Sequence, residues 1–136
     1  MPWCGVLIAT LAAWGCGDAS EEPVVEHMLY GSMTCTSQSA SGHRGHLKLV
    51  SMGDPREAAA LYSADDCLFA GPSCDYQLSF VAEGDYTVYA FIDLDDDASV
   101  DEPMPSPGDR VALGRPLYLM AKQQMDFPDS AFKPLP

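Results

Sequence analysis

Short stretches in which apolar and polar residues alternate recur along the chain from residue 27 onward. The segments 27–36, 46–52 and 75–81 show the two-residue period of a β-strand that is buried on one face. The Ser/Gly-rich residues 37–45 separate the first two segments and predict a loop. The residues predicted to face the core are Leu29, Met33 and Cys35, then Leu47 and Leu49 (opposite His46 and Lys48), then Tyr76, Leu78 and Phe80.

Two further stretches complete the predicted set of strands. Residues 86–92 (YTVYAFI) are apolar on both faces and rich in β-branched and aromatic side chains, which is typical of a strand at the centre of a sheet. Residues 111–113 and 116–121 follow, and Gly114 separates them. Strands spaced in this way predict an all-β fold, namely a single antiparallel β-sandwich.

One segment breaks the strand pattern. Asp54, Pro55 and Glu57 occupy the positions of an N-cap, a first-turn proline and a capping-box glutamate ahead of Ala58–Leu61. This order predicts a helix of one or two turns in preference to another edge strand. The sandwich is therefore expected to contain at most one short helix.

The start of the chain differs from the rest in composition. Gly5–Trp14 (GVLIATLAAW) is about as long as the apolar region of a signal peptide and too short for a membrane-spanning helix, which needs ~20 apolar residues. Every charged side chain lies from Asp18 onward. We therefore predict a signal peptide over residues 1–15, a polar tether over 16–25 and a β-sandwich domain over 26–136.

Ala13-Trp14-Gly15-Cys16 resembles the lipobox of bacterial lipoproteins, in which a cysteine is diacylated through its sulfur and becomes the new N-terminus. The resemblance implies that Cys16 is acylated and holds the domain at a bacterial membrane, with ~0.8 kcal/mol gained for each buried methylene group. The predicted location is therefore the cell envelope. The alternative is an ordinary signal peptide cut near Gly17–Ser20, which releases a soluble periplasmic or secreted domain.

The charge balance excludes some partners. The chain of 136 residues carries 20 acidic and 7 basic side chains, a formal net charge of −13. This balance argues against binding to nucleic acid, whose phosphates must be neutralised by cationic groups, and against docking on an anionic lipid surface. Because 47% of the residues are hydrophobic, the chain is also unlike a disordered acidic tail.

Three cysteines remain once the predicted leader and Cys16 are set aside, namely Cys35, Cys67 and Cys74. An exported chain meets an oxidising environment, in which disulfides form. Cys67 and Cys74 flank the turn-forming pair Gly71-Pro72, so a local bridge is predicted. A bridge from Cys35 to either of them is the competing arrangement, because strands distant in sequence are often neighbours in a sheet.

An acidic loop follows the predicted central strand. Asp93, Asp95 and Asp97 alternate along it, and Ser99 and Asp101 continue the same odd-numbered series. Two carboxylates ~6 Å apart repel each other by roughly 3 kcal/mol at an effective dielectric constant of ~20. The loop is therefore expected either to extend into water or to surround a cation.

Calcium is the cation that suits such a loop, because it takes roughly six to eight oxygen ligands in flexible geometry. We predict a Ca²⁺ site on the rim of the sandwich, closed by Asp109 or by a main-chain carbonyl. An EF-hand is not expected, since Ala98 replaces the turn glycine and Met104 replaces the closing glutamate. The alternative is a solvated acidic turn that keeps the sheet edge from pairing with other chains.

The run 84–117 (GDYTVYAFIDLDDDASVDEPMPSPGDRVALGRPL) resembles the signature of prealbumin-like, carboxypeptidase-regulatory-like and DUF2141-type domains of exported bacterial proteins. In those domains a glycine precedes an aromatic strand that ends in an Asp-rich loop of the type D-x-N-x-N-G-x-x-D. The matching positions are Gly84, Tyr86, Asp93, Asp95, Asp97 and Asp101, with Gly108 and Gly114 in the later Gly/Pro segment. The resemblance implies a prealbumin-like or immunoglobulin-like β-sandwich and an exported location.

The sequence contains no nucleophile elbow, and the histidines His27, His43 and His46 lack an evident serine or cysteine partner. We therefore predict that the chain is not an enzyme. The expected function is that of a lipid-anchored envelope domain, stabilised by calcium, that binds or presents an envelope protein or a glycan. The alternative is a soluble periplasmic or secreted binding module without lipid or metal.

Overall fold

The computed structural model describes residues 27–36, 39–99 and 101–136, and within them the chain forms β-strands and one short 3₁₀ turn. The predicted signal peptide (1–15), the acylated Cys16 and the tether (16–25) lie outside the described residues. The strands are β1 His27–Thr34, β2 Arg44–Ser51, β3 Tyr62–Leu68, β4 Ser73–Val81, β5 Gly84–Asp93, β6 Arg110–Ala112, β7 Arg115–Leu119, β8 Gln123–Gln124 and β9 Phe132–Pro134, and the 3₁₀ turn is Asp129–Ala131.

The strands form two sheets. The larger has the order β9-β6-β5-β2-β3, with β7 also paired to β5, and the smaller has the order β4-β1-β8. All strand pairs are antiparallel except β1 with β8. Buried side chains from both sheets form one hydrophobic cluster. The predicted all-β sandwich is therefore confirmed, and no helix of the described residues is long and apolar enough to cross a membrane.

Strand β5 is central, as its apolar faces predict. It pairs with β2 along one side, and along the other it pairs with β7 and then β6, which lie end to end. Gly114 stands between those two strands, where a Cβ atom would overlap the ring of Tyr89. The close approach of Tyr89 therefore requires glycine at this break between the two strands.

Strand β2 is buried on both faces, so the prediction that only one of its faces is covered is wrong. His46 and Lys48 are each 3% exposed, on the face opposite Leu47 and Leu49. Loops fold over that face. Lys48 Nζ donates to the carbonyl oxygen of Arg56 (2.6 Å) and lies 3.4 Å from Met104 Sδ, and burial lowers the pKa of Lys48.

The alternation of β4 predicts that Phe80 faces the core, and this prediction is wrong. Leu29 pairs with Leu78 and His27 pairs with Val81, so β4 holds one residue more than β1 between these pairs. This β-bulge shifts the alternation by one residue. Val81 is fully buried in consequence, whereas Phe80 is 70% exposed and has a φ of 62°.

The prediction of a short helix from Asp54 to Leu61 is also wrong, because the segment forms turns. One helix-like hydrogen bond is present, from Ala58 N to Pro55 O (3.0 Å). Other groups of the segment bond to the sheet instead: Tyr89 Oη donates to Asp54 O, and Leu61 N donates to Leu49 O. Tertiary hydrogen bonds therefore override the local capping signal.

A disulfide joins Cys67 and Cys74, whose Cα atoms are 5.1 Å apart. Cys67 belongs to β3 at the edge of the larger sheet, and Cys74 belongs to β4 at the edge of the smaller one. The bridge therefore ties the two sheets together at one side. The alternative prediction, a bridge from Cys35 to one of these two cysteines, is wrong. Cys35 lies in the hydrophobic core.

Candidate metal centre

The acidic loop begins where β5 ends. Asp93 is the last residue of that strand, and it is buried. Its carboxylate accepts hydrogen bonds from the backbone N–H groups of Asp97 (3.2 Å) and Ala98 (2.9 Å), which folds the loop back onto the strand end. The strand therefore fixes the position of Asp93, and the hydrogen bonds to its carboxylate determine the path of the loop backbone.

Asp109 lies at the far end of the same loop, directly before β6, and is buried as well. Its side chain accepts hydrogen bonds from the N–H groups of Leu94 and Ser106, both at 2.9 Å. Its backbone carbonyl accepts from Leu135 N (2.7 Å), next to strand β9. Asp109 is therefore positioned by the loop on one side and by the C-terminal segment on the other.

Four carboxylates converge at this point. One oxygen from each of Asp93, Asp95, Asp97 and Asp109 lies within 4.8 Å of the others. Calcium–oxygen distances are roughly 2.3–2.6 Å, so ligands on opposite sides of one ion are about 4.6–5.2 Å apart. Within the described residues, no Lys or Arg forms an ion pair with any of the four. The arrangement can therefore accept a divalent cation with little movement.

Ser106 is the member of the cluster that the sequence analysis missed. Its Oγ lies 2.7 Å from Asp95 Oδ2, 3.2 Å from Asp97 Oδ1 and 3.4 Å from Asp109 Oδ2. A hydroxyl group has one proton, so it can donate fully to one of these oxygens at a time. The available signal was the Ser-Pro-Gly-Asp turn over 106–109, in which Gly108 has a φ of 98°.

Hydrogen bonds within the cluster separate the acidities of two neighbouring carboxyl groups. The bond from Ser106 is the largest of the effects that lower the pKa of Asp95 to about 2, with a further contribution from Asp97. The pKa of Asp97 is raised, mainly because its carboxyl shares a hydrogen bond with Asp95. Without a cation, Asp97 is therefore the group of this pair that takes up a proton first as the pH falls.

His46 lies beside the cluster on strand β2. Its Nε2 is 4.0 Å from Asp93 Oδ2, and its ring stacks on Phe91 with the centroids 4.8 Å apart. Its Nδ1 is buried and has no hydrogen-bond partner among the described residues. Burial lowers the pKa of His46, although Asp93 opposes this effect. A cavity of about 170 Å³ adjoins the ring, lined by Arg44, His46, Asp65, Asp93, Asp96 and Ala98.

Two of the predicted ligands, Ser99 and Asp101, lie later in the loop than Asp97. Asp101 is not a member of the four-carboxylate group, and its backbone N–H donates to Ser99 Oγ (3.1 Å). Asp96 has a left-handed backbone (φ 57°), and its carboxylate lies 3.2 Å from His43 Nδ1. Ala98, which stands where an EF-hand has its turn glycine, does not have a positive φ.

Comparison of the chain with protein-family models, with curated proteins and with solved structures found no match in any of the three. The lipoprotein and prealbumin-like resemblances therefore stay predictions. What can be said about function depends on the geometry of the site and on the surface of the sandwich.

Proposed function

We propose that the protein is a non-catalytic, lipid-anchored domain of the bacterial cell envelope, in which a calcium ion stabilises one end of a β-sandwich. The observation that carries this proposal is the convergence of Asp93, Asp95, Asp97 and Asp109 within 4.8 Å. These four carboxylates would bind the ion, and Ser106 Oγ could be a further ligand. Calcium would supply the positive charge that the cluster lacks.

Burial is the physical reason for a cation at this place. Carboxylates removed from water are normally paired with a positive group or bound to a metal, because the desolvated charge is otherwise costly. Asp93 and Asp109 are 3% and 1% exposed. Their backbone N–H donors stabilise them in part, but the like charges of Asp95 and Asp97 stand beside them. The buried Nδ1 of His46 has no hydrogen-bond partner within the described part of the chain, so the polar groups of this region are incompletely satisfied there.

Export is supported by the disulfide between Cys67 and Cys74, since such bridges persist in oxidising compartments. The apolar leader and the lipobox-like Ala13-Trp14-Gly15-Cys16 support attachment through acylated Cys16. A lipid anchor also suits a chain of net charge −13, which an anionic membrane surface would otherwise repel.

The outer side of the smaller sheet supports binding to a hydrophilic partner, such as a glycan or an envelope protein. It carries an open cavity of about 510 Å³. Hydroxyl, amide and carboxylate groups line it, including those of Tyr30, Ser32, Asp75, Gln77, Gln124 and Asp126. Such groups offer many hydrogen bonds but no evident nucleophile, so binding is proposed and catalysis is not.

Two measurements test the proposal on the full chain expressed with its leader in a bacterial host. Mass analysis of the mature N-terminus should find a diacylated Cys16, and an unacylated terminus downstream of Cys16 would contradict the anchor. A melting curve of the same protein should shift upward in about 1 mM calcium relative to chelator. At a dissociation constant of ~0.1 mM the stabilisation is about 1.4 kcal/mol, and the absence of any shift would contradict the metal site.

A further inference from the structure

Lys48 is a buried amine in the middle of β2. Its side chain is 3% exposed. The other two lysines of the chain, Lys122 and Lys133, are exposed. A lysine is rarely buried to this extent unless an acidic group pairs with it. Within the described residues, however, Lys48 forms no ion pair, so its amine is held inside the fold without a direct counter-ion.

The hydrogen bonds of Lys48 Nζ explain why its charged form is disfavoured. A protonated amine carries three N–H donors. The only oxygen acceptor that it reaches among the described residues is the carbonyl of Arg56, at 2.6 Å. Its other contact, at 3.4 Å, is the thioether sulfur of Met104, which is a weak acceptor.

The pKa of Lys48 reflects this environment. Burial lowers the pKa, although the charges of Glu57 and Glu102 oppose the effect. A larger share of this amine is therefore neutral at a given pH than in an exposed lysine. A neutral amine is a nucleophile, whereas an ammonium group is not.

A cavity of about 200 Å³ adjoins Lys48. Its walls come from two loops that fold over this face of the larger sheet, namely the turn segment after β2 and the loop between β5 and β6. The alanines at positions 58–60, together with Pro103 and Met104, supply the apolar part of the lining. Pockets for drug-sized ligands measure roughly 300–1,000 Å³, so this cavity suits a smaller, mainly aliphatic molecule.

Two carboxylates complete the lining of the cavity. Glu57 belongs to the first loop and Glu102 to the second, and both residues are exposed. Their charges favour the positive form of the Lys48 amine, because each of them acts to raise its pKa. The same charges repel an anionic ligand. The cavity therefore favours a ligand that arrives uncharged and becomes positive when it reacts with the amine.

We propose that Lys48 captures a short, uncharged aliphatic aldehyde in this cavity as a reversible Schiff base. The neutral Nζ attacks the carbonyl carbon and forms a carbinolamine. The carbinolamine then loses water, so that both amine hydrogens leave with the former carbonyl oxygen and a carbon–nitrogen double bond remains. The imine takes up one proton from solvent. The reaction needs no oxidant or reductant, and water reverses it.

The geometry suits the protonated imine better than the free ammonium group. A protonated imine has one N–H group, and the carbonyl oxygen of Arg56 is the one oxygen acceptor that the described residues offer to Nζ. Glu57 and Glu102 line the same cavity and stabilise the positive charge of the product. The capture is a stoichiometric binding event. It uses neither Cys16 nor the four carboxylates of the metal centre, so it goes beyond the proposed function.

Reductive trapping tests the site on the full chain. The protein is incubated with butanal and sodium cyanoborohydride, which reduces an imine to a stable secondary amine that carries one butyl group. Peptide mass spectrometry then measures the initial labelling rate of Lys48, Lys122 and Lys133 separately, so that the two exposed lysines are internal controls. We expect Lys48 to be labelled about tenfold faster or more than either of them. An equal or lower rate at Lys48 would overturn the proposal.

A pair of variants separates capture in the cavity from a merely reactive amine. Ala58→Leu fills part of the cavity and should slow the labelling of Lys48 by about fivefold or more. Ala70→Leu is the matched control, because Ala70 is exposed and is not part of the lining. Circular dichroism checks that both variants are folded. Unchanged labelling of Lys48 in folded Ala58→Leu would overturn the cavity as the binding site.

A second aldehyde tests the charge preference on the wild-type chain and needs no variant. Glyoxylate is an anionic aldehyde, and Glu57 and Glu102 should repel it. The ratio of the labelling rate of Lys48 to that of Lys122 should therefore be at least about threefold lower with glyoxylate than with butanal. A ratio that is equal or higher with glyoxylate would overturn the preference for an uncharged ligand.

Discussion

A carboxylate oxygen of Asp93 lies within 4.8 Å of one of Asp109, and both side chains are buried. The two residues are held by different parts of the chain, one by the end of β5 and the other by the turn before β6. Backbone N–H groups stabilise each carboxylate, yet no Lys or Arg of the described residues forms an ion pair with either. Their proximity is the reason why a bound cation is expected to stabilise this end of the fold.

The first prediction concerns the ligands. Asp109→Asn should abolish most of the calcium-dependent rise in melting temperature, which is roughly 5–10 °C for about 1.4 kcal/mol in a domain of this size. Asp101→Asn is the matched control, because Asp101 is outside the four-carboxylate group. Calorimetry with calcium and with chelator checks both. Loss of the shift in the control, or its retention in Asp109→Asn, would assign the metal to other residues.

The second prediction concerns Ser106. In chelator, Ser106→Ala should raise the pKa of Asp95 from about 2 toward its ordinary value of 3.8, because the hydroxyl is the main cause of the lowering. A lowered pKa stabilises the fold above pH 3.8, and this contribution is lost as the pH falls toward about 2. Carbon NMR titration of the carboxyl groups measures the shift. An unchanged Asp95 titration would show that Ser106 does not act on it.

The third prediction concerns the disulfide. Its closed loop is short, with a sequence separation of 7, and the chain-entropy relation gives about 2.5 kcal/mol of stabilisation. Cys67→Ala/Cys74→Ala should lower the free energy of unfolding in urea by about this amount. The control is added reductant, which should destabilise the wild-type chain and leave the double variant unchanged. Equal sensitivity of both proteins to reductant would contradict this account.

The fourth prediction concerns alkaline pH. Tyr76 is buried and donates to the carbonyl oxygen of Met125, and its pKa is raised mainly by desolvation. A raised tyrosine pKa means that stability is intact below pH 10 and falls above it, by up to about 1.4 kcal/mol per pH unit. Tyr76→Phe should lower stability by about 1 kcal/mol at pH 7 but weaken the alkaline decline. Urea unfolding at several pH values checks this, with Tyr30→Phe as the control that keeps the decline.

The fifth prediction concerns the bulge in β4. Because Phe80 is left-handed and exposed, Phe80→Gly should leave the free energy of unfolding unchanged or raise it by up to about 1 kcal/mol. Val81 is fully buried, so Val81→Ala should lower it by about 2 kcal/mol. Chemical denaturation compares the two variants directly. A large loss in Phe80→Gly would mean that the ring packs against the domain after all.

Much of the fold could be predicted because alternation reports burial directly. Leu29 and Met33 lie in the core as their spacing predicts, and the two apolar faces of β5 predict its central place. The failures have non-local causes. His46 and Lys48 are buried by loops that lie outside their own strand, and a single extra residue in β4 reverses the positions of Phe80 and Val81.

The site could be predicted in part. The spacing of Asp93, Asp95 and Asp97 follows from one strand end and one turn, so local pattern was sufficient to group them. Ser106 was missed because its place depends on how the loop returns to the sheet, which no local period encodes. Asp101 continues the odd-numbered series in sequence but lies outside the four-carboxylate group, so its role as a ligand stays a prediction.

The backbone of Asp109 is held by Leu135, and β6 directly after it pairs with β9. Closure of the acidic cluster is therefore coupled to the docking of residues 132–135 on the larger sheet. A partly folded chain in which this segment has not yet paired is expected to hold Asp109 less firmly and to bind calcium more weakly.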